Sequence, residues 1–421
     1  MLIADVICVP VRSGFFSDDQ AAIRADSRHD GFRYLTAPRT RGYHQVRMAG
    51  QAVSVLLVLN DGQVAHGDCA AVQYSGAGGR DVVLTAERMA ALVLTHVRPR
   101  LLGRELSDFR SLATEVDQLR VAGQPLNTAV RYGVTQAVLD AVAKMQHLTM
   151  AEVVRDEYST GSQLSPVPVF AQSGDDRYTN VDKMILKRVE VLPHGLINNV
   201  DSKFGREGEL FAEYLAWVRK RITDLSPNED YHPILHFDLY GTVGQAFGGD
   251  ISRVASYLAR LAEVATPFAL RIEQPVDAGS RDRQVDALVA LRRELTRLGS
   301  NVQIAVDEWC NTLEDIVVFA EAQAADMIHV KTPDLGGVNN TIDALLLVKE
   351  HHLLAYCGGT SNETDRSAQV CAHVAMACEA DQVLARPGMG VDEGLMIVAN
   401  EMARAAALVA ARQSTGAAQP A

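Results

Sequence analysis

The pattern of hydrophobic and polar positions along the chain changes near residue 160. Before this point apolar runs and helical spacings are mixed, and an Asn-Asp-Gly turn at 60–62 predicts a β-hairpin. After it, short apolar runs alternate regularly with amphipathic helical patterns. We therefore predict an N-terminal α+β capping domain over residues 1–160, a second domain over 161–412 and a disordered tail over 413–421.

Eight apolar runs in the second domain are candidate strands. They cover residues 167–172, 195–200, 234–240, 268–274, 302–308, 327–332, 353–359 and 382–387. Strands that alternate with helices pair in parallel, because each helix carries the chain back to the start of the next strand. Eight such units predict a closed (β/α)8 barrel of the TIM type, with a doubly wound open sheet as the alternative.

Four successive runs each carry a charged residue one or two positions before their last residue: Asp238, Glu273, Asp307 and Lys331. Active sites of α/β barrels lie at the carboxyl ends of the strands, so the four side chains should meet at one rim. Two like charges at about 4 Å repel by roughly 1 kcal/mol in water and by more in a dry cleft. A single acidic residue at the rim would be interpreted as one partner of a surface ion pair. Three acidic residues at matching positions of neighbouring strands instead predict a bound cation. Oxygen ligands with open positions favour Mg²⁺ over Ca²⁺ or zinc.

Lys331 follows the three acids on the next strand. A lysine beside a divalent cation in a closed site can have a lowered pKa and act as a base. The cation would offset the negative charge that develops when a C–H bond beside a substrate carboxylate is broken. The alternative is that Lys331 only pairs with one of the acids.

Composition and charge exclude several other classes of protein. A net charge of −12 without a Lys/Arg-rich run argues against nucleic-acid binding. No apolar run is long enough for a membrane span, and the N-terminus lacks the pattern of a secretory signal. The cysteines form no C-x-x-C pair, so we expect free thiols and a cytoplasmic protein.

The glycine-rich loop Ser75–Arg80 follows a predicted strand and precedes a helix. Asp81 breaks the G-x-G-x-x-G spacing, which argues against a dinucleotide site. We interpret the loop as a flap that carries Gln73 toward the active site, with a flexible surface loop as the default.

Four long stretches of the chain carry a resemblance to one known family. They are residues 67–76 (GDCAAVQYSG), 169–176 (VFAQSGDD), 331–340 (KTPDLGGVNN) and 387–394 (PGMGVDEG). With these stretches the chain resembles the methylaspartate ammonia-lyase family of the enolase superfamily. The resemblance implies reversible conversion of L-threo-3-methylaspartate to mesaconate and ammonia. It also implies a homodimer that needs Mg²⁺ and a monovalent cation such as K⁺.

The resemblance assigns roles to individual residues by matching motifs. The metal ligands would be Asp238, Glu273 and Asp307. Lys331 would remove the C3 proton, and His194 would face it across the substrate to support the enolate or serve the opposite epimer. The residues implied in substrate binding are Gln73, Gln172, His329, Thr360 and Ser361.

His194 fits the predicted strands poorly. The run 195–200 begins after it, which would place His194 at the wrong end of the barrel. Either the strand starts earlier, near Val189, or the segment bends at Pro193.

Two positions depart from the family pattern: His329 replaces a glutamine and Ser361 replaces a cysteine. Histidine donates hydrogen bonds but differs from glutamine in shape and can become charged near neutral pH. We predict that His329→Gln changes substrate preference more than it changes Mg²⁺ affinity. Steady-state kinetics with several substrates and a metal titration measure the two effects, and equal losses in both would contradict the prediction.

Two other functions remain open. Racemases, cycloisomerases and acid-sugar dehydratases of the same superfamily commonly carry a K-x-K pair at the end of the second strand, whereas the nearest pair here, Lys183 and Lys187, lies in a helical pattern. A non-catalytic metal-binding scaffold fits poorly with an intact set of three acids and a base.

Overall fold

The computed structural model describes residues 1–25, 28–226 and 230–417. Its N-terminal part is built on a three-stranded antiparallel sheet with the order β1-β4-β5. The elements of this part are β1 (Ile3–Asp18), α1 (Gln20–Arg24), β2 (His29–Asp30), β3 (Arg33–Tyr34), β4 (Arg47–Leu59), β5 (Val64–Cys69), α2 (Ala86–Leu92), α3 (Arg98–Leu101), α4 (Phe109–Asp117), β6 (Arg120–Val121), β7 (Gln124–Pro125), α5 (Thr128–Gln146) and α6 (Met150–Tyr158). A π-helical turn over Val93–Val97 joins α2 to α3.

The hairpin predicted at residues 60–62 is confirmed, because it joins antiparallel β4 and β5. Strand β5 then packs against the buried helix α5 at very short range. A Cβ atom on Gly67 would lie 2.3 Å from the carbonyl oxygen of Gly133, and a Cβ on Gly133 would lie 2.2 Å from the backbone nitrogen of Cys69. Both positions therefore require glycine for this contact.

The second part is a closed barrel of eight parallel strands, as predicted, and the open doubly wound sheet is excluded. Its strands follow one another around the barrel in chain order. The elements are β8 (Val169–Phe170), α7 (Arg177–Leu186), β9 (Val191–His194), α8 (Glu209–Leu225), β10 (Ile234–Asp238), α9 (Thr242–Ala246), α10 (Ile251–Ala265), β11 (Leu270–Glu273), α11 (Arg281–Arg297), β12 (Gln303–Val306), α12 (Leu313–Glu321), β13 (Met327–Val330), α13 (Val338–Glu350), β14 (Leu354–Cys357), α14 (Asp365–Ala377), β15 (Gln382–Leu384) and α15 (Asp392–Ala417). A second π-helical turn, Val200–Phe204, precedes α8.

The interior of the barrel is filled by a compact layer of side chains. These are Phe170, Val191, Ala305, Met327, Tyr356 and Leu384, each from a different strand. Such a layer closes the barrel below its carboxyl rim, so it is a packed core and any site must lie above it. The strands read as near-continuous apolar runs because helices cover the outside of the barrel while this layer fills the inside.

The strand predicted over residues 195–200 is wrong. The observed strand β9 lies earlier, at Val191–His194, and pairs with β10 up to His194. His194, Gly195 and Leu196 have φ values of +66°, +79° and +48°, so the chain leaves the extended conformation at His194 itself. The apolar run that follows therefore belongs to a loop. His194 ends its strand at the rim where the three acids lie.

The last helix, α15, continues to Ala417, where the sequence led us to expect a tail from residue 413. Residues 418–421 of that predicted tail lie outside the described residues. Within Asp392–Ser414, an 18-residue window of α15 has a mean hydropathy of 1.4, so by length and composition alone this helix could cross a membrane. Its residues Val398, Met402, Ala405 and Val409 are buried in the hydrophobic core, however, as in a helix of a barrel's outer layer.

Candidate active site

A cavity at the carboxyl ends of the barrel strands contains every residue that the sequence assigned to catalysis, metal binding or substrate binding. These residues are Gln73, Gln172, His194, Asp238, Glu273, Asp307, His329, Lys331, Thr360 and Ser361. The cavity is also lined by residues that sequence reasoning did not single out: Val72, Tyr74, Arg80, Tyr240, Glu308, Tyr356, Gly359, Leu384 and Met389. Gln73 and its neighbours come from the N-terminal part, so both parts of the chain form the site.

Strand geometry brings the three acids together. Asp238 and Glu273 are the last residues of β10 and β11 and face each other in the strand register. Asp307 follows β12 directly. All three are buried, with 4%, 1% and 7% of their surfaces exposed. Burial, and then the charges of Glu273 and Asp307, raise the pKa of Asp238 well above its usual range. This repulsion is the effect that a bound cation would relieve.

Two imidazoles flank Glu273. Nδ1 of His329 lies 2.8 Å from Oε1, and Nε2 of His236 lies 3.0 Å from Oε2. The His236 contact is not aligned as a hydrogen bond, so Oε2 has no hydrogen-bond partner among the described residues. Burial acts to raise the pKa of Glu273, but the neighbouring His329 and His236 outweigh it and hold this pKa well below its usual range. Glu273 is therefore an ionised carboxylate at the centre of the cluster.

The donor atoms fit a divalent cation. Glu273, Asp307 and His329 each offer one ligand atom, and these atoms lie within 4.8 Å of one another. Oδ1 of Asp307, like Oε2 of Glu273, has no hydrogen-bond partner among the described residues. Unpaired buried carboxylate oxygens are costly unless a ligand or ion satisfies them. The third member of this group is His329, whereas the sequence predicted Asp238 as the third ligand. Asp238 lies next to the group, on the strand that pairs with that of Glu273.

Lys331 is buried in the cavity and bonded to the cluster. It follows β13 directly, and its Nζ donates a hydrogen bond of 2.7 Å to Oδ2 of Asp307. Burial acts to lower the pKa of Lys331, but the charges of Asp307 and Glu308 outweigh it and raise this pKa. The lowered pKa expected from the sequence therefore requires positive charge beside Asp307, which is what a cation in the cluster would provide.

His194 lies across the barrel from Lys331. Strands β9 and β13 are separated by three strands in either direction around the barrel. Nε2 of His194 lies 3.7 Å from Oδ2 of Asp238, and Nδ1 is buried without a hydrogen-bond partner among the described residues. Burial is the main cause that lowers the pKa of His194 to about 4. The imidazole is therefore neutral at neutral pH and has a free polar atom for a ligand.

Both ring nitrogens of His329 are used by the protein. The backbone N–H of Gly359 donates to Nε2 at 3.1 Å, which leaves Nδ1 as the donor to Glu273 when the ring is neutral. The ring also stacks on Tyr356 at 4.2 Å between centroids. A Cβ on Gly358 would lie only 1.8 Å from Nε2. His329 contacts both the cavity and Glu273. The His329→Gln variant therefore compares a change in substrate preference with a change in Mg²⁺ affinity.

The remaining predicted substrate residues offer polar atoms at the rim. Gln172 follows β8, and its Nε2 is buried without a partner among the described residues. Thr360 and Ser361 lie in the loop after β14. Glu363 holds this loop, because its Oε2 accepts the Thr360 backbone N–H at 2.9 Å. Arg386, like Glu363, is fully buried, and its Nε lies 2.9 Å from the same oxygen.

Arg80 fastens the glycine-rich loop to the barrel. Its guanidinium bonds to Asp334 at 2.7 Å, to Glu308 at 3.0 Å and to Asn311 at 2.8 Å. In the sequence, the only sign of this contact is a lone arginine at the end of the glycine-rich loop. Arg80 therefore holds the loop against the cavity, and the interpretation of the loop as a flap stays a prediction.

The lysine pair considered for a racemase-like site lies elsewhere. Lys183 is in α7 and Lys187 caps that helix. Both ammonium groups bind the carboxylate of Asp392, at the start of α15. Neither residue lines the cavity. The lysine pair therefore gives no support to the hypothesis of a racemase, cycloisomerase or acid-sugar dehydratase.

Comparison with known families covers nearly the whole chain. The family model described as "Methylaspartate ammonia-lyase N-terminus" matches residues 1–159, and "Methylaspartate ammonia-lyase C-terminus" matches residues 162–411. The methylaspartate ammonia-lyase of Clostridium tetanomorphum is 55% identical over 413 residues, which are 98% of this chain and 100% of the relative.

Solved structures agree with this result. A Mg complex of β-methylaspartase from Clostridium tetanomorphum has a TM-score of 0.94 and 55% identity, and the match covers 98% of this chain and 100% of the other. The Citrobacter amalonaticus methylaspartate ammonia lyase, solved with (2S,3S)-3-methylaspartic acid, has a TM-score of 0.95 and 50% identity over 97% of this chain and 100% of the other. A muconate lactonizing enzyme at 18% identity and a TM-score of 0.60, covering 90% of this chain and 85% of the other, shares the fold alone. This chain belongs to the methylaspartate ammonia-lyase family.

Proposed function

We propose that this chain is a carbon–nitrogen lyase that reversibly eliminates ammonia from L-threo-3-methylaspartate to give mesaconate. The observation that carries the proposal is one buried cavity in which an acid cluster, Lys331 and His194 surround the same space. Membership of the methylaspartate ammonia-lyase family supports the reaction, and the ligand of the Citrobacter amalonaticus relative supports the substrate.

Asp238, Glu273 and Asp307 would hold Mg²⁺, with His329 orienting Glu273 through a hydrogen bond. Oε2 of Glu273 and Oδ1 of Asp307, which have no hydrogen-bond partner among the described residues, support this assignment, as does the Mg complex of the Clostridium tetanomorphum relative. When bound, the divalent ion supplies positive charge that offsets the substrate carboxylate and the extra negative charge formed on proton removal. We propose K⁺ as a monovalent activator from the family resemblance.

Lys331 would take the proton from C3 of the substrate. Its Nζ must be neutral to accept a proton, so the charge of Asp307, which favours the protonated amine, has to be offset before the step. The C3–H electron pair moves toward the neighbouring carboxylate to form an enolate. The bond between C2 and the substrate's ammonium nitrogen then breaks, ammonia leaves with the bonding electron pair, and the enolate electrons form the C2–C3 double bond. His194, neutral and opposite, would support the enolate or act on the other C3 epimer.

Gln73, Gln172, His329, Thr360 and Ser361 would orient the substrate. The amide nitrogen of Gln172 has no hydrogen-bond partner among the described residues, and the hydroxyl groups of Thr360 and Ser361 also line the cavity. Tyr356 and Leu384 form an apolar wall of the same cavity, which would accept the methyl group. The polar atoms and this wall together match a substrate with two carboxylates, one amine and one short alkyl group.

We propose a cytoplasmic homodimer that acts in amino-acid degradation, within glutamate catabolism. These assignments follow from the family resemblance and from the free cysteines of the described residues. Sedimentation or light scattering would test the dimer.

One assay tests the function. The protein is incubated with L-threo-3-methylaspartate, Mg²⁺ and K⁺, and the ultraviolet absorbance of the conjugated product is followed. We expect absorbance to rise only when substrate and Mg²⁺ are both present. No turnover of methylaspartate, combined with turnover of an acid sugar, would favour a different superfamily reaction instead.

A further inference from the structure

Asp18 is a buried acid outside the barrel that contacts an active-site residue. It ends β1, and its side chain is only 1% exposed. Arg47 binds it through two hydrogen bonds, Nε to Oδ1 at 2.8 Å and Nη2 to Oδ2 at 2.7 Å. Nε2 of Gln73 donates a third hydrogen bond to Oδ2, at 2.8 Å. A carboxylate with these three donors is a well-satisfied buried charge.

This contact determines which end of the Gln73 amide faces the cavity. An ionised carboxylate only accepts hydrogen bonds, so the amide nitrogen must point to Asp18. The amide oxygen Oε1 is then directed away, where the hydroxyl of Ser361 lies at 3.4 Å. Gln73 therefore presents an acceptor to the cavity, next to the predicted substrate residues.

The backbone around Gln73 is also fixed. Its carbonyl oxygen accepts the Asp18 N–H at 2.9 Å, and its N–H donates to Oγ1 of Thr360 at 3.3 Å. Arg47 is held in turn by stacking over Phe32, with its guanidinium carbon 4.0 Å from the ring centroid. The remaining freedom of Gln73 is the orientation of its side chain, and Asp18 restricts that orientation.

We propose that Asp18 is a positioning residue that sets the acceptor orientation of Gln73 for the nitrogen of the reaction. An inward amide oxygen recognises an N–H donor, which in the substrate is the amine and in the reverse reaction is ammonia. The inference rests on the proposed lyase function. It predicts that loss of Asp18 weakens binding of ammonia more than binding of mesaconate.

The reverse reaction separates the two effects, because ammonia and mesaconate have their own KM values. The main variant is Asp18→Leu with Arg47→Met, which removes both buried charges together and preserves apolar volume. Gln73 then has no acceptor to hold its nitrogen. We expect the KM for ammonia to rise about tenfold or more, the effect of losing a hydrogen bond to a charged group, with a much smaller change for mesaconate.

Two further variants tie the effect to Gln73. Adding Asp18→Leu/Arg47→Met to Gln73→Ala should raise the ammonia KM no further, because the residue through which Asp18 acts is gone. Asp18→Asn should stay within a few-fold of the wild type, since the asparagine oxygen can still accept from Gln73. Asp140→Asn is the matched control: Asp140 is a buried acid that Arg366 contacts at 3.0 Å, far from the cavity lining.

A second route does not depend on the double variant folding. Gln73→Glu places a carboxylate against Asp18, so the new side chain is repelled although it still carries acceptor oxygens. We expect its ammonia KM to match that of Gln73→Ala, and Asp18→Asn in the same chain to restore part of the loss. A wild-type ammonia KM in Gln73→Glu, or in a folded Asp18→Leu/Arg47→Met variant, would overturn the proposal. Failure of the wild type itself to add ammonia to mesaconate would instead overturn the proposed function.

Discussion

Replacing Lys331 with alanine lowers the rate of ammonia elimination on the order of 10²–10⁴-fold, the usual contribution of a positioned base. The substitution removes the buried amine that would take the C3 proton, while the acid cluster stays in place. Mg²⁺ affinity should therefore be retained or rise, because Asp307 loses the cation that contacts its Oδ2. Initial rates of mesaconate formation, with a parallel Mg²⁺ titration, measure the two quantities.

Lys183→Ala is the matched control for this variant. Lys183 also binds an aspartate, Asp392, but at the start of α15 and away from the cavity. Its substitution should leave the rate near the wild-type value. A Lys331→Ala protein that keeps full activity would remove the mechanism, whereas loss of activity with loss of folding, seen as a lowered thermal midpoint, would call for Lys331→Gln.

Replacing Asp307 with asparagine weakens Mg²⁺ binding by about a hundredfold or more, since changes even in residues that only support metal ligands typically cost about 10–100-fold. Asparagine keeps the size of the side chain but removes a charge from a hard-cation site. It also removes the carboxylate that raises the pKa of Lys331. Calorimetric titration of the metal-free protein with Mg²⁺ measures the affinity directly.

Asp277→Asn serves as the comparison, because Asp277 accepts a hydrogen bond from the Trp309 indole beside the site without lining the cavity. We expect its Mg²⁺ affinity to be unchanged. If Asp307→Asn bound Mg²⁺ as tightly as the wild type, the acid cluster would not be the metal site.

The barrel and its charged rim could be predicted because the relevant information is local in sequence. Asp238, Glu273, Asp307 and Lys331 each lie near the end of an apolar run, and the topology of a parallel barrel places all such ends together. The alternation of side chains along β10 also predicts a second residue inside the barrel, His236. His236 lies two residues before Asp238, so both side chains point into the barrel, and His236 faces Glu273.

The contacts between the two parts of the chain could not be predicted in the same way. Asp18 meets Gln73 and Arg47 from distant positions, and Arg80 meets Asp334 on the barrel. Such contacts depend on how the parts pack, which no local pattern specifies. The strand wrongly predicted at residues 195–200 has a different cause: its apolar run predicts an extended conformation, but Gly195 and Leu196 adopt positive φ values.

The exchange of the C3 hydrogen of L-threo-3-methylaspartate with solvent tests the central claim most directly. In D₂O with Mg²⁺, nuclear magnetic resonance should detect deuterium at C3 of the substrate recovered from the wild-type protein. If ammonia leaves more slowly than the proton returns, the label enters by direct exchange. If ammonia leaves faster, the label enters when the reverse reaction re-forms the substrate. Lys331→Ala should incorporate none at the wild-type enzyme concentration. Exchange at the wild-type rate in Lys331→Ala would contradict the assignment of Lys331 as the base.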